Sequence, residues 1–236
     1  GQEMSILSFV DGLAVRPMVP AQDHKPVFDG DKGPNTGGMG TYTPLPHIDP
    51  AIMDEAVERI IKPTAAAMVK EGRPFRGVLF AGLMVTKDGP KVIEFNARMG
   101  DPETQVVLPR LKTDLLDIIL AAMAGKLDQI AIEWSDEAAV CVILASEGYP
   151  GAYPKGRPIE GIDRAEAAGA LVFHAGTALQ DGGIVTSGGR VLGVVGRGRD
   201  IEEARNRAYE ACSLIRFEGM HYRKDIAAKA LGAMKG

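Results

Sequence analysis

Asp11 and Gly12 limit the folds open to this chain more than any other pair of residues. They separate two β-prone runs, residues 3 to 10 and 13 to 19, and an Asp-Gly pair in that setting is the strongest short-range signal for a hairpin. A second strand, turn, strand unit lies at residues 77 to 86 and 90 to 95, around Lys87-Asp88-Gly89. Antiparallel pairing is therefore the expected frame of the first part of the chain.

Helical spacing fills other stretches. Between residues 49 and 70, Ile52, Met53, Ala56, Val57, Ile60, Ile61, Ala65 and Met68 recur at helical intervals, interrupted by Pro63, which is expected to kink or split the helix. Thr113 reads as the cap of a helix running to about Ala124 and ended by Gly125, with Leu115, Leu116, Ile118, Ile119 and Met123 on its buried side. After a polar connection through Trp134 and Ser135 the character changes. Residues 138 to 145 read as a buried strand, short strands are expected at 172 to 179, 183 to 186 and 191 to 196, and a helix at about 201 to 214. The expected class is α/β (α+β), with an antiparallel sheet and helices in residues 1–132 and a small β-rich domain with terminal helices in residues 133–236.

Composition sets bounds on partners. With 236 residues, 45% apolar and 25% charged, the chain can bury a real core. A net charge of -4 without a long Lys/Arg run supplies no field to collect nucleic acid or anionic lipid. The longest apolar run, residues 78 to 85, is too short to span a bilayer, and a cytoplasmic protein is expected. Cys141 and Cys212 lie in apolar segments at no metal-ligand spacing and read as buried free thiols. Gly1 opens the chain without an initiator methionine and already in a strand pattern, so a preceding segment is expected.

The chemistry concentrates in two stretches. In Val92-Ile-Glu-Phe-Asn-Ala-Arg-Met-Gly-Asp-Pro-Glu-Thr-Gln105, strand alternation puts Glu94 and Asn96 on one face. A carboxylate and an amide oxygen are hard donors of the kind a phosphate-bound magnesium ion accepts. Arg98, two residues further, can reach the same phosphates. Asp101 and Glu103 suit an ammonium group, or else the plain start of a helix. Residues 20 to 46 are rich in Gly, Pro, Asp, Asn and Thr and read as a long functional loop. Its glycines can turn backbone N–H groups toward an anion, while Asn35 and Thr36 supply neutral hydrogen bonds. His24, His47, His174 and His221 have no metal spacing, and His174 reads as a hydrogen-bonded core residue.

Glu94-Phe-Asn-Ala-Arg-Met-Gly-Asp-Pro-Glu-Thr-Gln105 resembles the metal strand and adjoining loop of the glycinamide ribonucleotide synthetase family of ATP-grasp ligases. The loop from Gln22 to Tyr42 is similar to that family's glycine-rich loop, and Phe217-Glu-Gly-Met-His-Tyr-Arg-Lys-Asp-Ile226 to its carboxyl-terminal signature. Ala145-Ser-Glu-Gly-Tyr-Pro-Gly151 and Phe173-His-Ala-Gly-Thr-Ala178 extend the likeness. The resemblance implies the second half of an ATP-grasp core. It implies ATP, glycine and 5-phosphoribosylamine as substrates, Mg2+ or Mn2+ as cofactor, and an amino-terminal segment of the same enzyme as partner in a monomer or weak dimer. Without that segment and its ATP lid, the chain is expected not to catalyse the ligation alone.

By the same resemblance, Glu94 and Asn96 would hold the metal, Arg98 would stabilise the transferred phosphate and Asp101 would meet the glycine ammonium. Lys25, Asn35, Thr36, Gly37 and Gly38 would form a substrate loop. Arg223 and Lys224 would take the ribose phosphate, and Glu3 the ATP ribose. Basic surface pairing for Arg223 and Lys224, and simple solvation for Glu3, stand beside those roles. The strand at 77 to 86 has no Asp or Glu where the wider superfamily often supplies another metal ligand. Alternative readings are another carboxylate–amine ligase of this superfamily, or an inactive binding module.

Overall fold

The computed structural model describes residues 1–233. Its strands are β1 (Gln2–Asp11), β2 (Ala14–Pro17), β3 (Gln22–Asp23), β4 (Pro26–Phe28), β5 (Lys32–Asn35), β6 (Gly40–Thr43), β7 (Arg76–Thr86), β8 (Gly89–Asn96), β9 (Ala138–Ala145), β10 (Leu171–His174), β11 (Thr177–Gln180), β12 (Gly183–Thr186) and β13 (Arg190–Gly198). Its α-helices are α1 (Pro50–Ala56), α2 (Lys62–Lys70), α3 (Thr104–Val107), α4 (Leu115–Met123), α5 (Ile162–Ala167), α6 (Ile201–Leu214) and α7 (Ala228–Ala233). The chain divides into two compact units, residues 1–22 with 44–136, and residues 23–43 with those from 137 on. No helix among the described residues is long and apolar enough to cross a membrane.

The first unit holds a four-stranded sheet in the order β2-β1-β7-β8, antiparallel at every pairing. Its hairpin turn falls on Gly12 and Leu13, one residue beyond the Asp-Gly pair, because Asp11 is still paired with Ala14. Gly12 supplies the positive φ. Met4, Ile6, Leu7, Val10, Leu79 and Leu83 are buried. Each large apolar side chain withdrawn from water in this way contributes roughly 1.5–3 kcal/mol.

Helix α1 opens on Asp49, whose carboxylate accepts from the Ala51 N–H. Pro63 does not break the helical run. A π-helical turn, Val57–Ile61, lies just ahead of it, with the Lys62 N–H bonded to the Val57 carbonyl, and α2 continues directly. The wider turn gives the proline ring room against the preceding carbonyls.

Helix α4 corrects the sequence reading at two points. Its cap is Asp114, which accepts from the Leu116 N–H, whereas the Thr113 hydroxyl accepts from the Glu133 N–H. Ile118 and Ala122 are the buried positions, while Leu116, Ile119, Leu120 and Met123 are 59%, 43%, 52% and 68% exposed. Together with Leu115, Ile119, Ala122 and Met123 line an apolar groove with Phe9, Val78 and Met99.

The second unit is built on the sheet β10-β13-β9-β6-β3. β9 is buried at all eight positions, which explains its unbroken apolar sequence: neighbours cover both faces. α6 lies close on β13, since a Cβ on Gly196 would fall 2.3 Å from the Ala204 carbonyl oxygen and 2.4 Å from the Ala208 nitrogen. Small residues on both elements allow that approach. Cys141 and Cys212 are buried here as free thiols, and burial pushes the Cys212 thiol up to about 12.

Residues 20 to 46 are therefore more ordered than a loop reading allows. They contain four short strands, and β6 pairs along β9 from Gly40↔Val142 to Thr43↔Ala139, with all four β6 residues buried. That pairing carries residues 23–43 into the second unit, whereas a division at 132/133 leaves them in the first. The strand expected at 172 to 179 is two strands: β10 joins the large sheet and β11 turns away to pair with β12. His174, at the end of β10, is exposed and not in the core, its Nδ1 2.9 Å from the Thr177 hydroxyl.

Candidate active site

Register along the first sheet decides which side chains meet. Gly82 pairs with Ser5 on one side and with Glu94 on the other, and Phe80 pairs with Leu7 and Asn96. Residues paired across antiparallel strands share a face, so Glu3, Ser5, Glu94 and Asn96 project from the same side of the sheet. A bulge makes this possible. The register shifts between Gly82 and Leu83, leaving Ile93 as the extra residue of β8 and turning Glu94 to the face of Ser5.

Gly82 keeps the centre of that face open. A Cβ there would sit 3.3 Å from Cγ of Glu94 and 3.4 Å from the Phe80 ring. Glu94 is exposed and Asn96 half-buried at the sheet's edge. Arg98 lies beside them, donating to the Met99 carbonyl at 2.9 Å and reaching the Asn96 side-chain oxygen at 3.5 Å.

The next residues divide the two acidic side chains. Asp101 accepts from the Gln105 amide at 2.9 Å, a local bond of the helix start. Glu103 turns inward: it is buried, accepts from the Ser5 hydroxyl at 3.0 Å, and packs so tightly on Gly100 that a Cβ there would be 2.6 Å from its Oε2. The face thus carries one carboxylate at each end of the row Glu94, Gly82, Ser5, Glu103. Ser5 is a residue that sequence reasoning passed over, although its spacing of two from Glu3 on a strand was the available signal.

Glu94 and Asn96 fit a divalent cation that keeps phosphate and water in its shell. They are hard oxygen donors on one face of the sheet edge. Among the described residues no group of three or more His, Cys, Asp or Glu stands together as a self-sufficient metal cage.

In the second unit the glycine-rich segment is held from within. The Gly37 N–H donates to the Tyr149 hydroxyl at 2.9 Å and the Gly38 N–H to the Thr36 hydroxyl at 3.0 Å. Thr36 in turn donates through both its N–H and its hydroxyl to the Lys25 carbonyl. The amides of Gly37 and Gly38 are therefore not turned toward an anion; these glycines serve close packing. Arg190 donates to the Gly37 carbonyl at 2.8 Å, and a Cβ on Gly37 would lie 3.0 Å from its guanidinium carbon. The Asn35 side chain is exposed.

Arg223 requires the largest correction. Sequence placed it with Lys224 as a phosphate donor, but its side chain is 1% exposed. Its guanidinium donates to both oxygens of Asp225, to Asp31 and to the Pro26 carbonyl. Its donors are committed to holding the β4–β5 hairpin against the chain near Asp225. The Gly30 N–H to Asp225 and the Lys224 N–H to Asp29, both 2.8 Å, close the same seam. Of the pair, Lys224 alone is exposed.

Comparison with known proteins places these motifs. Residues 1–104 match the phosphoribosylglycinamide synthetase ATP-grasp (A) domain and residues 139–229 its C domain. The chain is 57% identical over 228 residues to a phosphoribosylamine–glycine ligase from Caldanaerobacter subterraneus subsp. tengcongensis, covering 97% of this chain and 54% of that protein. It is 52% identical to the trifunctional purine biosynthetic protein adenosine-3 of Gallus gallus, over 98% of this chain and 23% of that one. A crystal structure of a phosphoribosylamine–glycine ligase from Thermotoga maritima superposes with a TM-score of 0.85 at 38% identity, over 96% of this chain and 56% of that one. The chain spans about half the length of the curated single-function relatives it matches. With an antiparallel α+β ATP-grasp fold and both domain matches in order, the chain belongs to the phosphoribosylglycinamide synthetase family.

Proposed function

We propose that this chain furnishes the metal face and a substrate loop of an ATP-dependent ligase that joins glycine to 5-phosphoribosylamine through a C–N bond. The observation that carries the reading is the common face of Glu94, Asn96 and Ser5–Glu103 around the open Gly82, in a chain whose relatives are named phosphoribosylamine–glycine ligase.

In this reading Glu94 and Asn96 hold Mg2+ or Mn2+, which, when bound, neutralises charge on the ATP phosphates. Arg98 donates, in the same reading, to the phosphoryl group as it passes to the glycine carboxylate, giving a glycyl phosphate. The phosphoribosylamine nitrogen then displaces phosphate to form the amide. No protein nucleophile is needed; positioning and charge neutralisation suffice. Glu103 offers a carboxylate at the far end of the row from Glu94, the polarity a glycine zwitterion needs if its carboxylate faces the phosphates. Glu3 projects from that face and suits the ATP ribose. Asn35 and Lys25 belong to the substrate loop, and Lys224 remains the basic candidate near the carboxyl end.

The test uses the complete ligase, this chain together with the remainder of its relatives' length. Glu94→Ala and Asn96→Ala are expected to abolish magnesium-dependent formation of glycinamide ribonucleotide. Unchanged turnover and unchanged magnesium dependence would refute the metal assignment. Residues 1–236 alone are expected to form no product.

A further inference from the structure

We propose that Tyr149 and Arg190 act together as positioning residues that set the shape of the substrate loop at residues 35–38. The proposal rests on residues 35–38 being a substrate loop and adds two residues to which no role has been assigned.

Both side chains issue from the same end of two neighbouring strands. β9 and β13 are antiparallel, and Ala145, the last residue of β9, is paired with Arg190, the first of β13. Tyr149 comes four residues later. The connection is stiff: the Ser146 N–H donates to the Gly189 carbonyl at 2.8 Å and its hydroxyl to the Gly188 carbonyl at 2.9 Å. Gly189 seats the tyrosine, since a Cβ there would fall 2.2 Å from Cδ2 of the Tyr149 ring.

From this base the two residues grip the backbone on either side of Gly37. The Tyr149 hydroxyl accepts from its N–H at 2.9 Å, and Arg190 donates to its carbonyl at 2.8 Å and to that of Gly38 at 3.5 Å. The guanidinium lies so close to Gly37 that any side chain there must displace it. Three separated motifs, Asn35-Thr-Gly-Gly38, Glu147-Gly-Tyr-Pro150 and Gly188-Gly-Arg190, are thereby parts of one device. A loop that binds a polar substrate through an exposed side chain such as Asn35 loses affinity when its backbone wanders, because binding geometry tolerates little misplacement.

The experiment measures steady-state kinetics of the complete ligase, varying phosphoribosylamine and ATP separately. Tyr149→Phe and Arg190→Met are each expected to raise the KM for phosphoribosylamine about tenfold, with the KM for ATP unchanged. The double variant is expected to be little worse than Arg190→Met, since the two act on one residue, and Arg190→Lys to recover part of the loss. An unchanged phosphoribosylamine KM in both single variants, or an equal rise in the KM for ATP, overturns the clamp. Asn35→Ala separates this failure from that of the loop reading. If it raises the KM while the clamp variants do not, only the clamp is wrong; if it too has no effect, the loop does not bind phosphoribosylamine. Tyr149→Phe removes a single oxygen and keeps the test available if Arg190→Met does not fold.

Discussion

Nε and Nη2 of Arg223 each lie 2.8 Å from a different carboxylate oxygen of Asp225, a two-pronged pairing made inside the protein between residues two apart in sequence. Burial alone would raise the Asp225 pKa, but the hydrogen bonds from Arg223 and the Gly30 N–H, with the Arg223 charge, outweigh it and hold the carboxyl well below the usual range. Arg223→Met is expected to cost about 2 kcal/mol, because it removes the buried donor of Asp225, Asp31 and the Pro26 carbonyl, while the part-exposed Asp31 keeps Lys229. A depressed carboxylate stabilises the fold at pH above its ordinary value near about 3.9 and loses that contribution as pH falls toward the folded value. Urea midpoints of wild type and Asp225→Asn should therefore converge as the pH drops below that range.

His24 titrates in a different window. Burial, reinforced by the charge of Arg223 and that of Lys229, lowers its pKa to about 4, against the raising effects of the Gly40 carbonyl and Asp225. Its Nδ1 lies 3.1 Å from the Gly40 carbonyl oxygen, so that nitrogen carries the proton. Between pH 6.5 and about 4 the unfolded chain binds a proton that the folded one does not. Stability from this residue is present above that window and falls by roughly 3 kcal/mol as the pH drops through it. His24→Asn keeps a donor for Gly40 and should flatten the denaturation midpoint between pH 7 and 4.5; equal slopes in both proteins would exclude His24 as the source.

Gly82 permits a separation of activity from stability. Alanine there meets Glu94 Cγ at 3.3 Å and the Phe80 ring at 3.4 Å, contacts that a side chain can relieve by shifting, so the thermal midpoint should change little. The shift moves Glu94. In the complete ligase, Gly82→Ala is expected to lower turnover about tenfold and raise the magnesium concentration for half-maximal rate, on the scale that small misplacements of a catalytic group produce. Wild-type magnesium dependence in this variant would detach Gly82 from the site.

The exposed side of α4 gives a simpler test. Leu116→Ser, Leu120→Ser and Met123→Ser together remove three large apolar groups from the surface of this chain. Fluorescence of a hydrophobic dye bound to it should fall markedly, while each substitution changes stability by within about 0.5 kcal/mol. A large loss of stability would mean that these side chains are packed in solution.

Hairpins, central strand β9, helix α6 and the common face of Glu94 and Asn96 were readable in the sequence because each depends on local chemistry: a turn dipeptide, an apolar run, an apolar periodicity, an alternation of two. The bulge at Ile93 was not, since it is a property of pairing with β7 and leaves no mark on β8 alone. Arg223 was misread for a related reason. A basic pair near the end of a chain looks like a ligand site until the tertiary fold brings Asp31 and Pro26 to it. Helix α4 carries apolar residues on more of its circumference than the first unit covers, so periodicity identified a helix but could not choose its buried side.

The pairing of β6 with β9 also bears on how the chain is made. A strand synthesised early must wait for its partner until the polypeptide has passed through the whole of the first unit, and contacts so distant in sequence slow folding. Until then Gly40–Thr43 is a segment with no sheet to join. Conversely, a fragment started at Glu137 would expose the edge of β9 along the stretch that β6 covers, an invitation to pair with another chain. The junction at Asp136 and Glu137 separates the two units, yet it is a poor place to cut.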